Sequence, residues 1–192
     1  MPNIKILLGV TGSIAAYKAC DIIKELREVD FDVKVITTKD AEKFVTPLTL
    51  EICSGHEVFN DIFDDENSLT PHVSYASQAD CFLIAPATAN TIAKLANGIA
   101  DNALTACCLA ATCKKIVAPA MNTFMYENPA TQKNLKTLKK RGFEVIDPIS
   151  GNLACGDVGI GKLAKVETIV KRTLDALKGE EVERATGIEP AL

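Results

Sequence analysis

Hydrophobic positions along the chain form short unbroken runs, separated by stretches in which they recur every three or four residues. The runs 3–10, 31–37, 80–85, 115–118 and 143–146 read as strands, with 56–60 as a shorter one. Helical spacing fills the intervals. Ile14, Ala15, Cys20, Ile22, Ile23 and Leu26 mark a helix over 14–29. Further helices are predicted over 39–45, 48–53, 72–77, 88–96, 102–111, 128–141 and 166–177, with Pro47 as a first helical residue and Gly142 as a stop. Residues 61–71 read as a polar loop and 150–163 as a glycine-rich flap. Strands alternating with helices imply one parallel sheet with helices on both faces, and continuously apolar strands suit a sheet covered on both sides. The pattern predicts a single domain over 1–178 and a loose tail over 179–192.

Composition narrows the function classes. Of 192 residues, 47% are hydrophobic and 24% charged, which suits a globular chain and not a disordered one. A net charge of −4 argues against a nucleic-acid partner, which needs a strong phosphate-facing field. The most apolar region, 82–100, is broken by Pro86, Asn90, Lys94 and Asn97, so no membrane span is expected. The start reads as a strand and not as a secretory signal, so the seven cysteines are expected in a reducing compartment, the cytoplasm. With two histidines and no C-x-x-C pair, the ligand spacing for zinc is absent and no metal is expected.

In a parallel sheet of this kind, ligands sit where strand carboxyl ends meet helix starts. Four such places stand out: 11–14, 37–40, 86–91 and 119–122, all rich in small, hydroxyl or amide residues. The first belongs to GVTGSIAAYK (9–18). Gly12 permits close backbone approach, and Ser13 can cap a helix or touch a phosphate; the segment is not a G-x-G-x-x-G fingerprint. APATANTIAKLANGIADNALT (85–105) concentrates Thr88, Asn90 and Thr91 at one strand end, ready to bond a flat polar ring with its polar chain, or simply to cap buried helices. In APAMNTFMYENP (118–129), Asn122 can hold a carboxylate or cap the next short helix. In GNLACGDVGIGKLA (151–164), Cys155 sits among glycines like a reactive thiol on a flap, whereas the other cysteines lie mostly in apolar segments as small core residues. His72, after the acidic loop, can be a general base or a structural histidine.

Taken in this order, these segments resemble the homo-oligomeric flavin-containing cysteine decarboxylases over about residues 3–175. The resemblance implies a three-layer flavodoxin-like or Rossmann-like fold that binds FMN, in trimers or multiples of trimers. It assigns Gly12, Ser13, Ile14, Thr38, Thr88, Ala89, Asn90, Thr91, Ala120 and Met121 to the flavin site. It makes His72 the base, Asn122 the ligand of the substrate carboxylate and Cys155 the late proton donor. Ala154, Cys155, Gly156 and Lys162 belong to a clamp closing over substrate. The implied substrate is 4'-phosphopantothenoyl-L-cysteine, converted to 4'-phosphopantetheine in coenzyme A biosynthesis. The route runs through oxidation to a thioaldehyde, loss of carbon dioxide to an enethiolate, and internal re-reduction.

Some positions depart from the family pattern. Tyr126 stands where Trp is frequent, and Lys162 where Arg is common, which keeps the charge but loses the planar fork. The synthetase domain fused to many bacterial members does not follow, so decarboxylation alone is expected. The rival readings are a decarboxylase of peptide C-terminal cysteines, a flavin prenyltransferase, an electron-carrying flavodoxin, and a non-catalytic member acting as a binding subunit. The Pro-Ala-Met-Asn run and the Cys155 clamp speak against the prenyltransferase, a flavodoxin leaves the Cys155 flap unexplained, and the presence of His72, Asn122 and Cys155 with no long acidic run speaks against the binding subunit.

Overall fold

The structure, a computed structural model, describes residues 4–63 and 70–186. Five strands form the central sheet: β1 (Lys5–Val10), β2 (Asp32–Thr37), β3 (Cys81–Ala87), β4 (Lys114–Pro119) and β5 (Glu144–Val145). Their order is β2-β1-β3-β4-β5, and every pairing is parallel. The chain moves outward from β1 to β2 and then returns to the far side of β1, so strand order reverses between β1 and β3. In such sheets that reversal opens a crevice at the carboxyl ends.

The strands are apolar throughout because each feeds two cores. Successive side chains alternate across the sheet. Ile6, Leu8 and Val10 of β1 join Cys81, Leu83, Ile116 and Ala118 in one cluster, packed by Ile22, Ile23 and Leu26 of α1 (Ala19–Glu28), Leu50 of α2 (Pro47–Ser54) and Ile169 and Val170 of α8 (Val166–Thr186). Leu7, Phe82, Ile84 and Val117 face the other cluster, covered by α4 (Ala89–Asn97), α5 (Ala103–Ala110) and α7 (Pro129–Lys140), with Ala76 of α3 (Pro71–Gln78). The result is three layers. At Gly9 an added Cβ would lie 3.0 Å from Leu104 and 3.2 Å from Phe82, so the missing side chain lets α5 sit close on β1.

Several elements differ from the sequence pattern. Residues Ile14–Lys18 form a 3-10 turn before α1 begins, and Ala41–Lys43 form another. The expected strand at 56–60 reduces to one bridge between Phe59 and Ile36 at the sheet edge. A short helix α6 (Thr123–Glu127) follows β4. The glycine-rich segment is not an open loop but an antiparallel hairpin, β6 (Ile149–Asn152) with β7 (Val158–Lys162). The closing helix runs to Thr186 and not to 177, so the first part of the expected tail is helical; its Glu, Arg and Ala residues are good helix formers. Of the expected polar loop, 64–69 lies outside the described residues, as does 187–192 of the tail. Among the described residues, no helix is long and apolar enough to cross a membrane.

Candidate active site

The carboxyl ends of β1 to β4 surround a cleft of about 730 Å³, within the range of ordinary small-molecule sites. Its walls are fixed by hydrogen bonds within the chain. The buried Thr11 hydroxyl donates to the Pro86 carbonyl at 2.7 Å and accepts from the Thr88 amide at 3.0 Å, tying the end of β1 to the end of β3. Glu42 accepts from the Thr37 hydroxyl at 2.9 Å and from the Asn60 amide at 2.8 Å. That draws the segment after Phe59, including Ile62 and Phe63, along the β2 side of the cleft.

Each strand end passes into a capped turn. Ser13 Oγ accepts from the Ala15 amide, Thr38 Oγ1 from the Ala41 amide and Thr88 Oγ1 from the Thr91 amide, all at 3.3 Å. The Thr88 hydroxyl donates to Thr91 Oγ1 at 3.2 Å. Ser13 and Thr88 are therefore helix caps and cleft residues at once, and Thr38 closes the turn that leads into Ala41–Lys43. A helix start leaves its first N–H groups unpaired, so Ala89 and Asn90 present α4's backbone donors at the rim, a seat for an anion. Gly12 is required by packing: a Cβ there would lie 2.5 Å from Asp40 Cβ. The opposite wall is apolar, with Ala120, Met121 and Met125. Lys94 donates to Asp101 at 2.6 Å, and this bond holds the Asp101 carboxyl below its ordinary range. A flat, largely apolar ring carrying a polar anionic chain fits such a donor set.

Of the ten expected flavin residues, Gly12, Ser13, Thr38, Thr88, Ala89, Asn90, Thr91, Ala120 and Met121 line the cleft. Ile14 does not: it is 56% exposed on the 3-10 turn. Asp40, Asn60, Lys94, Asp101 and Asn102 also line the cleft; Asp40 lies in the place 37–40 and Lys94, Asp101 and Asn102 in the segment 85–105, though none of the five is among the expected site residues. The capping box of Asn102 with Thr105 was the readable signal for the last of these.

Beside the cleft, the turn after β4 meets the tip of the β6–β7 hairpin. Asn122 Nδ2 lies 3.3 Å from Cys155 Sγ and 3.4 Å from Asp157 Oδ2, and the Cys155 thiol donates to the same Asp157 oxygen at 3.3 Å. Asn122 Oδ1 accepts from the Phe124 amide at 2.8 Å, which caps α6 and aims the NH₂ group at Cys155. Asn122 and Cys155, far apart in sequence, are thus brought together, and Asp157 joins them. Ala154 and Gly156 form the tight turn, where the Gly156 amide bonds the Leu153 carbonyl at 3.0 Å and the Leu153 amide the Asp157 carbonyl at 2.8 Å.

The hairpin is held against the turn after β4. The Met121 amide donates to the Gly161 carbonyl at 3.0 Å. Gly161 has φ +138°, and a Cβ there would overlap the Met121 carbonyl oxygen; a Cβ at Gly159 would overlap the Thr123 hydroxyl. The two glycines are therefore docking surfaces, and the flap is anchored rather than free. Lys162 does not reach the cleft. It lines a second pocket with Lys18, Lys165 and several acidic residues of α1. His72 lies in the first turn of α3, away from the cleft lining, and its buried Nδ1 has no hydrogen-bond partner among the described residues.

Comparison with known proteins agrees with this geometry. The flavoprotein family model matches residues 1–178. A Streptococcus mutans protein named as a probable phosphopantothenoylcysteine decarboxylase is 48% identical over 176 residues, which covers 90% of this chain and 98% of that protein. The coenzyme A biosynthesis bifunctional protein CoaBC of Bacillus subtilis is 49% identical over 170 residues; the match covers 88% of this chain but only 42% of that longer protein. The crystal structure of the FMN-dependent cysteine decarboxylase SpaF superposes with a TM-score of 0.81 at 32% identity, covering 92% of this chain and 96% of the other. A reversed parallel sheet, a cleft of capped strand ends and a match along almost the whole chain lead to one assignment: the chain belongs to the flavoprotein family.

Proposed function

We infer that this chain is an FMN-dependent phosphopantothenoylcysteine decarboxylase, converting 4'-phosphopantothenoyl-L-cysteine to 4'-phosphopantetheine and carbon dioxide in coenzyme A biosynthesis. The observation that carries the reading is the cluster of Asn122, Cys155 and Asp157 beside a cleft whose donors suit a flavin. The family assignment and the names of its relatives support it.

Residues 12–13, 38 and 88–91 hold the polar chain of the cofactor with hydroxyls and backbone N–H groups, and Ala120 and Met121 pack on its ring. Bound FMN supplies reversible two-electron chemistry at the cysteinyl carbon–sulfur end of the substrate. Asn122 turns its two amide donors to the substrate carboxylate, in the place where they now meet Asp157. Holding that carboxylate orients the bond that must break. Asp157 accepts from the Cys155 thiol and fixes its direction, and Cys155 then gives its proton to the carbon left by carbon dioxide. The docked hairpin, with Ala154 and Gly156 at its tip, shields the reacting end from water.

His72 is the base in this reading, acting on a site completed by a second copy of the chain. Exposed apolar side chains support a homo-oligomer, read as a trimer: Phe124 is 76% exposed, Ile52 74% and Leu48 64%. The reading carries a cytoplasmic location, with no membrane or nucleic-acid partner. Lys162 remains a candidate contact for the remote part of the substrate from its own pocket.

The test is an absorbance spectrum of the purified chain supplied with FMN, then mass spectrometry of products from phosphopantothenoylcysteine. Yellow protein that forms phosphopantetheine is expected. Folded protein that never takes up the chromophore under saturating FMN overturns the reading.

A further inference from the structure

Away from the cleft, α1 and α2 turn a free cysteine each toward one surface groove. Cys20 lies in the first turn of α1 and Cys53 in the last turn of α2, and both are half-buried. Both line the same pocket, with Lys24, Arg27, Glu28 and Ile52 around them, and the Cys53 thiol is near enough to help push the Cys20 thiol up. The two backbones are well fixed. Ala19, Ile22, Ile23 and Leu26 anchor α1 in the core, and Leu50 anchors α2. Arg27 of α1 donates to the Cys53 carbonyl at 2.6 Å, fastening the end of α2 to α1 beside the thiols. Neither cysteine lines the cleft. Cys107 and Cys108 differ from this pair: they are buried in α5, and burial pushes both thiols up to about 12.

We propose that Cys20 and Cys53 are a dithiol site that closes reversibly into a disulfide, stapling α1 to α2. The oxidant is a low-molecular-weight disulfide. One cysteine attacks it, forming a mixed disulfide and releasing one small thiol. The second cysteine attacks the mixed disulfide, forming the Cys20–Cys53 bond and releasing the second thiol. The protein gives up two electrons and two protons, and the oxidant becomes two thiols. Burial and the adjacent Cys53 push the Cys20 thiol up to about 11, so the exchange is best followed above neutral pH. The staple joins the two helices that follow the strand-end turns at 11–14 and 37–40, so oxidation state is tied to the rigidity of one side of the cleft. The proposal does not rest on the enzymatic reading.

The experiment incubates the full chain carrying Cys155→Ser, which removes the exposed thiol, with oxidised glutathione at mildly alkaline pH. Intact mass and non-reducing peptide mapping are the readouts. The expected result is loss of two hydrogens per chain and a 20–53 linked peptide pair that disappears on reduction. Adding Cys20→Ser or Cys53→Ser replaces the link by a stable glutathione adduct on the remaining thiol, and circular dichroism checks that each variant is folded. Adducts on both cysteines without linkage, a link between two chains, or two thiols that stay fully alkylatable would overturn the proposal.

Discussion

Replacing Gly161 with alanine tests whether the docked hairpin is part of the catalytic apparatus. Two costs arise together. The residue sits at φ +138°, a conformation L side chains rarely adopt, and its new Cβ would overlap the Met121 carbonyl oxygen. Holding a non-glycine residue in such a region costs about 1–3 kcal/mol. Separating the strands enough to relieve the overlap gives up the Met121–Gly161 hydrogen bond, about another 1 kcal/mol. Together the docked state loses about 2–4 kcal/mol, so its population relative to an undocked hairpin falls roughly 30- to 900-fold. kcat/KM for carbon dioxide release is expected to fall toward that range, with FMN still held through its polar chain because the capped turns at 12–13, 38 and 88–91 are untouched. Gly142→Ala is the control: φ is +83° with nothing within 4 Å, so it carries only the backbone cost and meets no atom of the hairpin. It should lower Tm with kcat/KM unchanged. If Gly161→Ala keeps wild-type kcat/KM, or if both variants lose activity only in proportion to global stability, docking is not what Gly161 provides.

Other substitutions separate the remaining roles. Cys155→Ser should still release carbon dioxide but accumulate an enethiol or its oxidised product; a normal yield of saturated product by mass spectrometry would remove Cys155 from the last protonation. His72→Asn should keep the yellow colour and lose turnover, and a colourless or unfolded variant would return His72 to a structural role. Thr11→Val strips the partner from the Pro86 carbonyl and the Thr88 amide, a loss of about 1–3 kcal/mol. Thermal denaturation should show Tm lower by about 2–12 °C, together with weaker FMN retention. An unchanged Tm would mean that water replaces the hydroxyl without loss.

The layered sheet was legible because its signal is local: continuous apolar strands and capped, periodic helices. Ser13 and Thr88 were legible for the same reason, since they announce helix starts that the sheet then gathers at one end, whereas Thr38 came from the resemblance alone. What escaped depends on distant contacts. The glycines of β7 look like markers of a loop, yet Gly159 and Gly161 are flat faces against Thr123 and Met121, residues nearly forty positions earlier. Asp157 shares a motif with Cys155, but its bond to Asn122 exists only once the hairpin folds back. Ile14 has helical spacing, but a tight 3-10 turn capped by Ser13 leaves it facing outward. Lys162 is close to Cys155 in sequence but sits at the opposite end of the hairpin strand, facing another pocket.

The caps and cross-ties around the cleft have a consequence for how the protein acquires its prosthetic group. Thr11, Glu42 and Thr88 satisfy their partners inside the polypeptide, so the outline of the receptacle is drawn by bonds that the flavin does not have to supply. Exchanging one flavin analogue for another therefore leaves these cross-ties intact.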